Sequence, residues 1–261
     1  VTNVTEGGTC GLPPAEAHLW YERVDEAYDE TRLRKWRSLL SPEELERHGR
    51  YAFEHGRLEY LVTRVLVRTV LGRYAGVSPV SLRFESNGYG RPEIVHPRLA
   101  PPLYFNLSNT HGLVVCLVSG AREGGVDVED TTGGTAALGI ADHFFAPSEV
   151  ASLRLLHPLA QKERFFELWT LKEAYIKARG LGLALPLQQF AFELDGEGVR
   201  IRIDPRLADD ERSWQFQLLS LTPRHRVAVA IRGESIVLKT MAANLTMESP
   251  YDCSASNDGT R

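Results

Sequence analysis

The chain has 261 residues, of which 43% are hydrophobic and 25% charged, with a formal net charge of -4 and a pI of about 6.1. That length serves one large domain or two small ones, and either can bury a substantial core. The balance is that of an ordinary soluble globular protein: it gives no global argument for nucleic acid or an anionic membrane, and no apolar run reaches the roughly 20 residues of a membrane span.

No basic segment followed by an apolar one opens the chain, so no secretory signal is expected. Cys10, Cys116 and Cys253 are odd in number and scattered. They favour a reducing, cytoplasmic setting over a disulfide framework. Residues 1–15 read as a loose leader and His18 to Val24 as a first strand. Ser41-Pro42-Glu43-Glu44 is a helix start, with Ser as N-cap, Pro at the first position and acids in the first turn. A long helix is predicted from about Gly56 to Tyr74, carrying Arg57, Arg64, Arg68 and Arg73. Val80 to Phe84 alternates like a strand, Asn87 to Pro92 is a turn, and Leu103–Leu107 and Leu113–Val118 read as strands around a Ser108-Asn109-Thr110 turn. Gly125 to Glu129 is a further strand.

The second half then repeats the first. Ala146-Pro147-Ser148-Glu149 echoes Ser41-Pro42-Glu43-Glu44, and a long helix, a glycine cap, a proline and an alternating strand follow in both. Strands Trp214–Leu221, Arg226–Ile231 and Ser235–Lys239 are predicted to finish the second sheet. The expected fold class is α+β, a pseudo-dimer of two similar halves with a ligand cleft between them. The expected lobes are residues 1–122 and 123–241, and 242–261 reads as a disordered tail.

The run Phe165 to Lys177 reads as one helix, closed by a left-handed cap at Gly180. Its apolar stripes, Phe166, Trp169, Ile176 and Phe165, Leu168, Tyr175, are broken at one turn by Glu173 and Lys172. A carboxylate among large apolar side chains must be paired, hydrogen-bonded or metal-bound, because isolated burial costs several kcal/mol. The plain alternative is a solvated Glu173–Lys177 pair, worth about 0.3–0.5 kcal/mol. Asp127 and Glu129 are two apart on a strand and share a face. With Glu173 they form an oxygen-only set suited to Mg²⁺, which shares its shell with phosphates, and an exposed strand face is the competing reading. No HExxH, P-loop or GxGxxG pattern is present, which argues against zinc, an NTPase and a Rossmann site. Arg47, Arg50, Arg57, Arg64 and Arg91 could supply forked donors to phosphate, helped by Ser108 and Asn109.

These residues carry a family resemblance. Gly125-Val126-Asp127-Val128-Glu129 resembles the (V/I)G(I/V)D(I/V)E block of the 4'-phosphopantetheinyl transferases. Trp169-Thr170-Leu171-Lys172-Glu173-Ala174-Tyr175-Ile176-Lys177 resembles their WxxKEAxxK block. Gly90-Arg91-Pro92 and Phe105-Asn106-Leu107-Ser108 resemble the two upstream blocks. The match spans roughly residues 18–240, the extent of the two-lobed Sfp-type subfamily. The resemblance implies the 4'-phosphopantetheinyl transferase fold and transfer of 4'-phosphopantetheine from coenzyme A to a serine of an apo acyl or peptidyl carrier protein, releasing 3',5'-ADP. It further implies a monomer without nucleic-acid or membrane partners.

By the same resemblance Asp127, Glu129 and Glu173 are the metal acids, holding Mg²⁺ with Mn²⁺ as the alternative. Asp127, Glu173 and Lys177 are the catalytic set: Glu173, or a water it polarises, is the base, and Lys177 stabilises or protonates the leaving group. Arg47, Arg50, Arg57, Gly90, Arg91, Pro92, Ser108, Asn109, Lys172 and Lys177 are the implied coenzyme A contacts. The segment 131–165, with Leu138, Ile140, Phe144 and Phe145, is the implied carrier-docking stretch, although each also suits a core. The chain departs from the family's NxSH(S/T) at Asn109, which stands in place of His and donates no charge. The expected consequence is weaker coenzyme A binding by about 1 kcal/mol, with His111 as the substitute. Two rival readings remain: a Mg²⁺-dependent phosphohydrolase, and a binding module without turnover. The pathway served, whether fatty acid, polyketide, nonribosomal peptide or lysine, is not encoded in these motifs.

Overall fold

Both helix-start signatures open a short helix that leads into a long one. In the computed structural model, which describes residues 11–24, 28–133, 137–196 and 198–245, the first half runs β1 (Glu16–Arg23), α1 (Glu30–Arg37), α2 (Pro42–Gly49), α3 (Glu54–Ala75), β2 (Arg83–Ser86), β3 (Pro92–His96), β4 (Tyr104–Thr110) and β5 (Leu113–Ser119). The second half repeats that order as β6 (Gly124–Asp130), α4 (Ala137–Phe144), α5 (Pro147–Arg154), α6 (Pro158–Arg179), β7 (Phe190–Asp195), β8 (Gly198–Ile203), β9 (Trp214–Thr222) and β10 (His225–Arg232). β11 (Val237–Ala242) follows. Helices α3 and α6 are each 22 residues long and end on a left-handed glycine, Gly76 and Gly180, the conformation that lets an unpaired terminal carbonyl be capped.

Three apolar cores set four layers. Leu66, Val70 and Tyr74 of α3 pack on Val114, Cys116 and Val118 of β5. The opposite face of that sheet, through Leu19, Val115 and Leu117, meets Val126, Val128, Val227 and Val229 of the second sheet. The far face of the second sheet, through Ala228 and Ala230, takes Leu171, Ala174 and Ala178 of α6. The sheets are ordered β11-β1-β5-β4 and β6-β10-β9, and β2-β3 and β7-β8 are separate hairpins. The expected α+β pseudo-dimer is therefore present as helix, sheet, sheet, helix. Among the described residues no helix is long and apolar enough to cross a membrane.

The halves also share a buried ion pair. Glu44 caps the backbone N–H of Ser41 at 2.9 Å and takes Arg68 Nε at 2.7 Å, and Arg68 Nη1 donates to the Pro79 carbonyl at 2.8 Å. Glu149 caps the Ala146 N–H at 2.9 Å and takes Lys172 Nζ at 2.7 Å, and Lys172 donates to the Leu187 and Phe190 carbonyls at 2.9 and 2.7 Å. The repeat seen in sequence as Pro-x-Glu is thus a repeated cap that doubles as the counter-ion of the long helix.

Several boundaries differ from the sequence expectation. The strand expected at Ser235–Lys239 does not finish the second sheet: β11 pairs in parallel with β1, Glu16 against Val237 through Tyr21 against Ala242. It covers an edge of β1 that would otherwise expose unpaired backbone groups. Ala242 ends β11 and Ala243 and Leu245 lie in the first core, so residues 242–245 do not belong to the expected tail; residues 246–261 lie outside the described residues. Val80 to Phe84 is not one strand but a 3₁₀ turn, Pro79–Ser81, followed by β2. The long helix of the second half begins at Pro158, seven residues before the Phe165 start.

Candidate active site

Helix α6 lies directly on β6 because Gly125 has no side chain. A Cβ there would overlap the carbonyl oxygen of Ala174 and the amide nitrogen of Ala178. Alternation along β6 sends Val126 and Val128 into the core between the sheets and turns Asp127 and Glu129 to the helix. One helical turn apart on α6, Glu173 and Lys177 face them.

Asp127 is buried, at 4% exposure. Its Oδ1 accepts from Lys177 Nζ at 2.5 Å and from Ser108 Oγ at 2.9 Å, whereas Oδ2 is buried without a partner. Glu129 Oε1 accepts from Trp169 Nε1 at 3.2 Å. Burial, then the neighbouring Asp127, pushes the Glu129 carboxyl up to about 7, against the opposing pull of Trp169 and Lys177. The Glu173 carboxyl is also raised, by burial first and Asp127 second, with Lys177 pulling the other way. Three acids thus share one ammonium. Lys177 pairs with Asp127, and not with Glu173 as in the plain alternative reading of the helix, and donates to Ser108 Oγ at 3.0 Å.

A buried carboxylate oxygen without a donor, in an all-oxygen set with surplus negative charge, fits a hard divalent cation. Among the described residues the acids are not drawn together as a closed cluster of three or more metal-holding side chains.

Ser108 and Asn109 are not in a turn. They lie on β4, because alternate side chains of that strand replace a sheet partner for β6. Asn106 Oδ1 accepts from the Val126 N–H at 2.9 Å, Ser108 Oγ from Val128 at 3.3 Å, and Thr110 Oγ1 from Asp130 at 3.3 Å. This ladder joins the halves and was missed in the sequence; its one signal was the polar alternation Asn106, Ser108, Thr110. Ser108 Oγ, accepting from Val128 and Lys177, has its proton free only for Asp127. Asn109 is exposed and has the parity of Phe105 and Leu107, whose side chains pack in the first core. His111 starts the β4–β5 turn, and its Nδ1 lies 3.5 Å from Glu59 Oε1.

The expected coenzyme A contacts divide. Arg47 is exposed beside a cavity of about 800 Å³ that Glu44, Arg64, Arg83, His96 and Pro92 also line, with its guanidinium 5.6 Å from the Tyr60 ring centre. Arg50 pairs with Glu46 at 2.5 Å, and Arg57 donates to the Tyr51 carbonyl at 2.9 Å, both on exposed surface outside that cavity's lining. Arg64 is engaged with Glu44. Gly90 is an exposed turn residue at φ +85°. Arg91 and Pro92 both line a second cavity of about 280 Å³. Lys172 does not stand at the ligand as expected: it has no exposed surface, and Glu149, Leu187 and Phe190 take its donors. Five residues from Lys177 on one helix, it faces the lobe interior and is unavailable to a ligand.

In the expected docking stretch Ile140 and Phe144 are partly exposed, and Phe144 meets Trp169 edge-on at 6.0 Å. Phe145 is core, stacked on Phe165 at 5.3 Å. The Leu138 side chain lies outside the described residues.

Two repeated halves with one acidic centre at their joint define a two-lobed α+β protein with that centre as its candidate site. The chain belongs to the 4'-phosphopantetheinyl transferase superfamily. The model of that superfamily matches residues 124–231, and a 4'-phosphopantetheinyl transferase N-terminal model matches residues 29–122. The chain is 36% identical to the 4'-phosphopantetheinyl transferase HetI of Nostoc sp., over 84% of this chain and 88% of that one. It is 30% identical to the 4'-phosphopantetheinyl transferase Sfp of Bacillus subtilis, over 79% and 88%. It is 32% identical to a phosphopantetheinyl transferase of Thraustochytrium, over 84% and 80%. It is an enzyme, a phosphopantetheinyl transferase of the Sfp type.

Proposed function

We propose that this enzyme moves the 4'-phosphopantetheine of coenzyme A to a serine hydroxyl of an apo acyl or peptidyl carrier domain, releasing 3',5'-ADP. The serine oxygen bonds the phosphorus next to pantetheine, the bond from that phosphorus to the bridging oxygen breaks, and its electron pair leaves with 3',5'-ADP. Glu173 stands one helical turn from Lys177 and would take the serine proton. Lys177 would place positive charge at the leaving oxygen, with Ser108 and Asp127 fixing its ammonium. Asp127, Glu129 and Glu173 would hold Mg²⁺ or Mn²⁺, which when bound neutralises charge on the diphosphate. Arg47 and the cavity beside it would take the adenosine phosphate end, in the lobe 1–122.

The observation that supports this reading is one buried acid, Asp127, and two half-buried ones, Glu129 and Glu173, beside one lysine, with Asp127 Oδ2 unsatisfied. Incubation with coenzyme A, Mg²⁺ and a panel of apo carriers, followed by intact-mass measurement, tests it. The expected product is a carrier heavier by one phosphopantetheine, equimolar with 3',5'-ADP. Phosphate release without any carrier would instead support a phosphohydrolase. Asp127→Asn, Glu129→Gln and Glu173→Gln should each lower turnover about 100-fold or more and weaken Mn²⁺ binding followed by electron paramagnetic resonance.

A further inference from the structure

The turn between β2 and β3 is built to aim one side chain. Asn87 Oδ1 accepts from the backbone N–H groups of Tyr89 at 2.9 Å and Arg91 at 3.0 Å, and the Asn87 N–H closes the turn on the Arg91 carbonyl at 2.9 Å. Gly90 supplies the left-handed step within it. From this first-half turn the half-buried Arg91 side chain crosses into the second half. Its Nη1 donates to the carbonyls of Ala178 at 3.3 Å and Lys177 at 3.5 Å, and its Nη2 to the carbonyl of Gly124 at 3.2 Å.

Lys177 and Ala178 lie in the last turn of α6, where carbonyls lack regular i+4 helical partners and a cation is favoured; the Lys177 carbonyl also takes the Gly180 cap N–H at 3.2 Å. Gly124 is the first residue of β6. One planar guanidinium therefore touches both elements that carry the site, and the fork geometry lets it do so where a point charge would reach only one.

We propose that Arg91 is a positioning residue, a guanidinium from the first half that fixes the end of α6 against the start of β6 and so sets how Lys177 and Glu173 stand to Asp127 and Glu129. The protein contacts of the side chain are carbonyls of the second half, three of them, and its part in the reaction is to hold those elements rather than to bind coenzyme A. Leverage is short: Asp127 is three residues beyond Gly124, and Lys177 is itself one of the clamped residues. Because Gly125 brings the two backbones into contact, small sliding there passes directly to the Lys177–Asp127 pair.

Arg91→Met and Arg91→Lys test this on the full chain. Three measurements are taken: amide hydrogen exchange, the dissociation constant for coenzyme A, and turnover at saturating coenzyme A with an apo carrier. The kinetic arm rests on the transferase reading; the exchange arm does not. In Arg91→Met, exchange should quicken in residues 124–128 and 174–180 and not elsewhere. Turnover should fall about 10-fold or more, while the coenzyme A dissociation constant stays within about threefold, as expected for misplacement rather than lost binding. Arg91→Lys should lie between, because it keeps the charge but not the fork. If Arg91→Met does not fold, Arg91→Lys alone decides by the same three measurements. The proposal is overturned if coenzyme A binding weakens about 10-fold with exchange and turnover unchanged, which would make Arg91 a ligand contact. It is equally overturned by exchange that quickens uniformly along the chain. Failure of the unaltered protein to modify any carrier removes the transferase reading and leaves the exchange result standing.

Discussion

Trp20 holds in the first half the place that Asp127 holds in the second. Trp20 pairs across its sheet with Cys116, four residues beyond Gly112 in the β4–β5 turn, and Asp127 pairs with Ala228, four residues beyond Arg224 in the β9–β10 turn. Arg73 stacks over the Trp20 ring at 5.4 Å and Lys177 bonds Asp127; the two cations are equally far into their 22-residue helices. Thr69 stands where α6 has Glu173. The duplication therefore carries one acidic centre and not two.

Lys172 braces the second lobe. Burial pushes the Glu149 carboxyl up and the Lys172 ammonium down, and each is opposed by the other. Lys172→Met should destabilise the fold by about 3–5 kcal/mol, because it leaves Glu149 buried without its counter-ion. Urea unfolding would register the loss, and Glu149→Gln added to Lys172→Met should recover part of it. The Michaelis constant for coenzyme A of the folded variant should stay near that of the parent; a rise of tenfold would restore Lys172 to the ligand.

Contact between α6 and β6 depends on Gly125. Gly125→Ala must part the two backbones and should cost about 1–3 kcal/mol or more in denaturant unfolding. Turnover should drop with it. Gly120→Ala, where an added Cβ meets nothing within 4 Å, is the matched control and should change stability by no more than about 0.5 kcal/mol.

Asn109 carries no charge where the family resemblance leads one to expect a histidine. Asn109→His should lower the Michaelis constant for coenzyme A about fivefold, the equivalent of about 1 kcal/mol. The gain should be larger at pH 6 than at pH 8, since imidazole is charged only below about 6.5. An unchanged constant at both pH values would show that this exposed face of β4 does not meet the ligand.

Asp209 is a buried hub in the loop before β9, its side chain fully enclosed. It accepts from Tyr175 Oη at 2.5 Å, Arg179 Nη1 at 2.5 Å and Trp214 Nε1 at 3.0 Å, and it pairs with Arg232. Burial would raise its carboxyl, but Tyr175, Arg179 and Arg232 outweigh that and hold it below 3.8. A carboxyl depressed on folding contributes stability that is complete above its unfolded value and is lost as the pH falls through the folded one. Asp209→Asn should therefore cost about 3 kcal/mol at neutral pH. The gap from the parent should narrow below about pH 4, as followed by thermal unfolding across a pH series; a gap constant with pH would refute the assignment.

How far the sequence alone reaches can be judged from single residues. The Ser41 and Ala146 helix starts, the Gly180 cap, the shared face of Asp127 and Glu129 and the doubling of the chain all follow from spacings of a dozen residues or fewer, repeated once. Backbone hydrogen bonding and side-chain periodicity act over that range, so the residue order determined them. The partners of the charges were decided only in three dimensions. Lys172 and Lys177 look alike on paper, yet one faces Glu149 inside the lobe and the other Asp127 at the joint. Arg91 reads as a turn residue next to a ligand and proves to span the two halves. The polar side chains of β4 read as a turn and prove to be the rungs that hold β6, and β11 returns to the opposite sheet. In each case the deciding contact joins groups 20 to over 200 residues apart, and a buried charge or an unpaired strand edge takes whichever complement the packing of distant elements brings within reach.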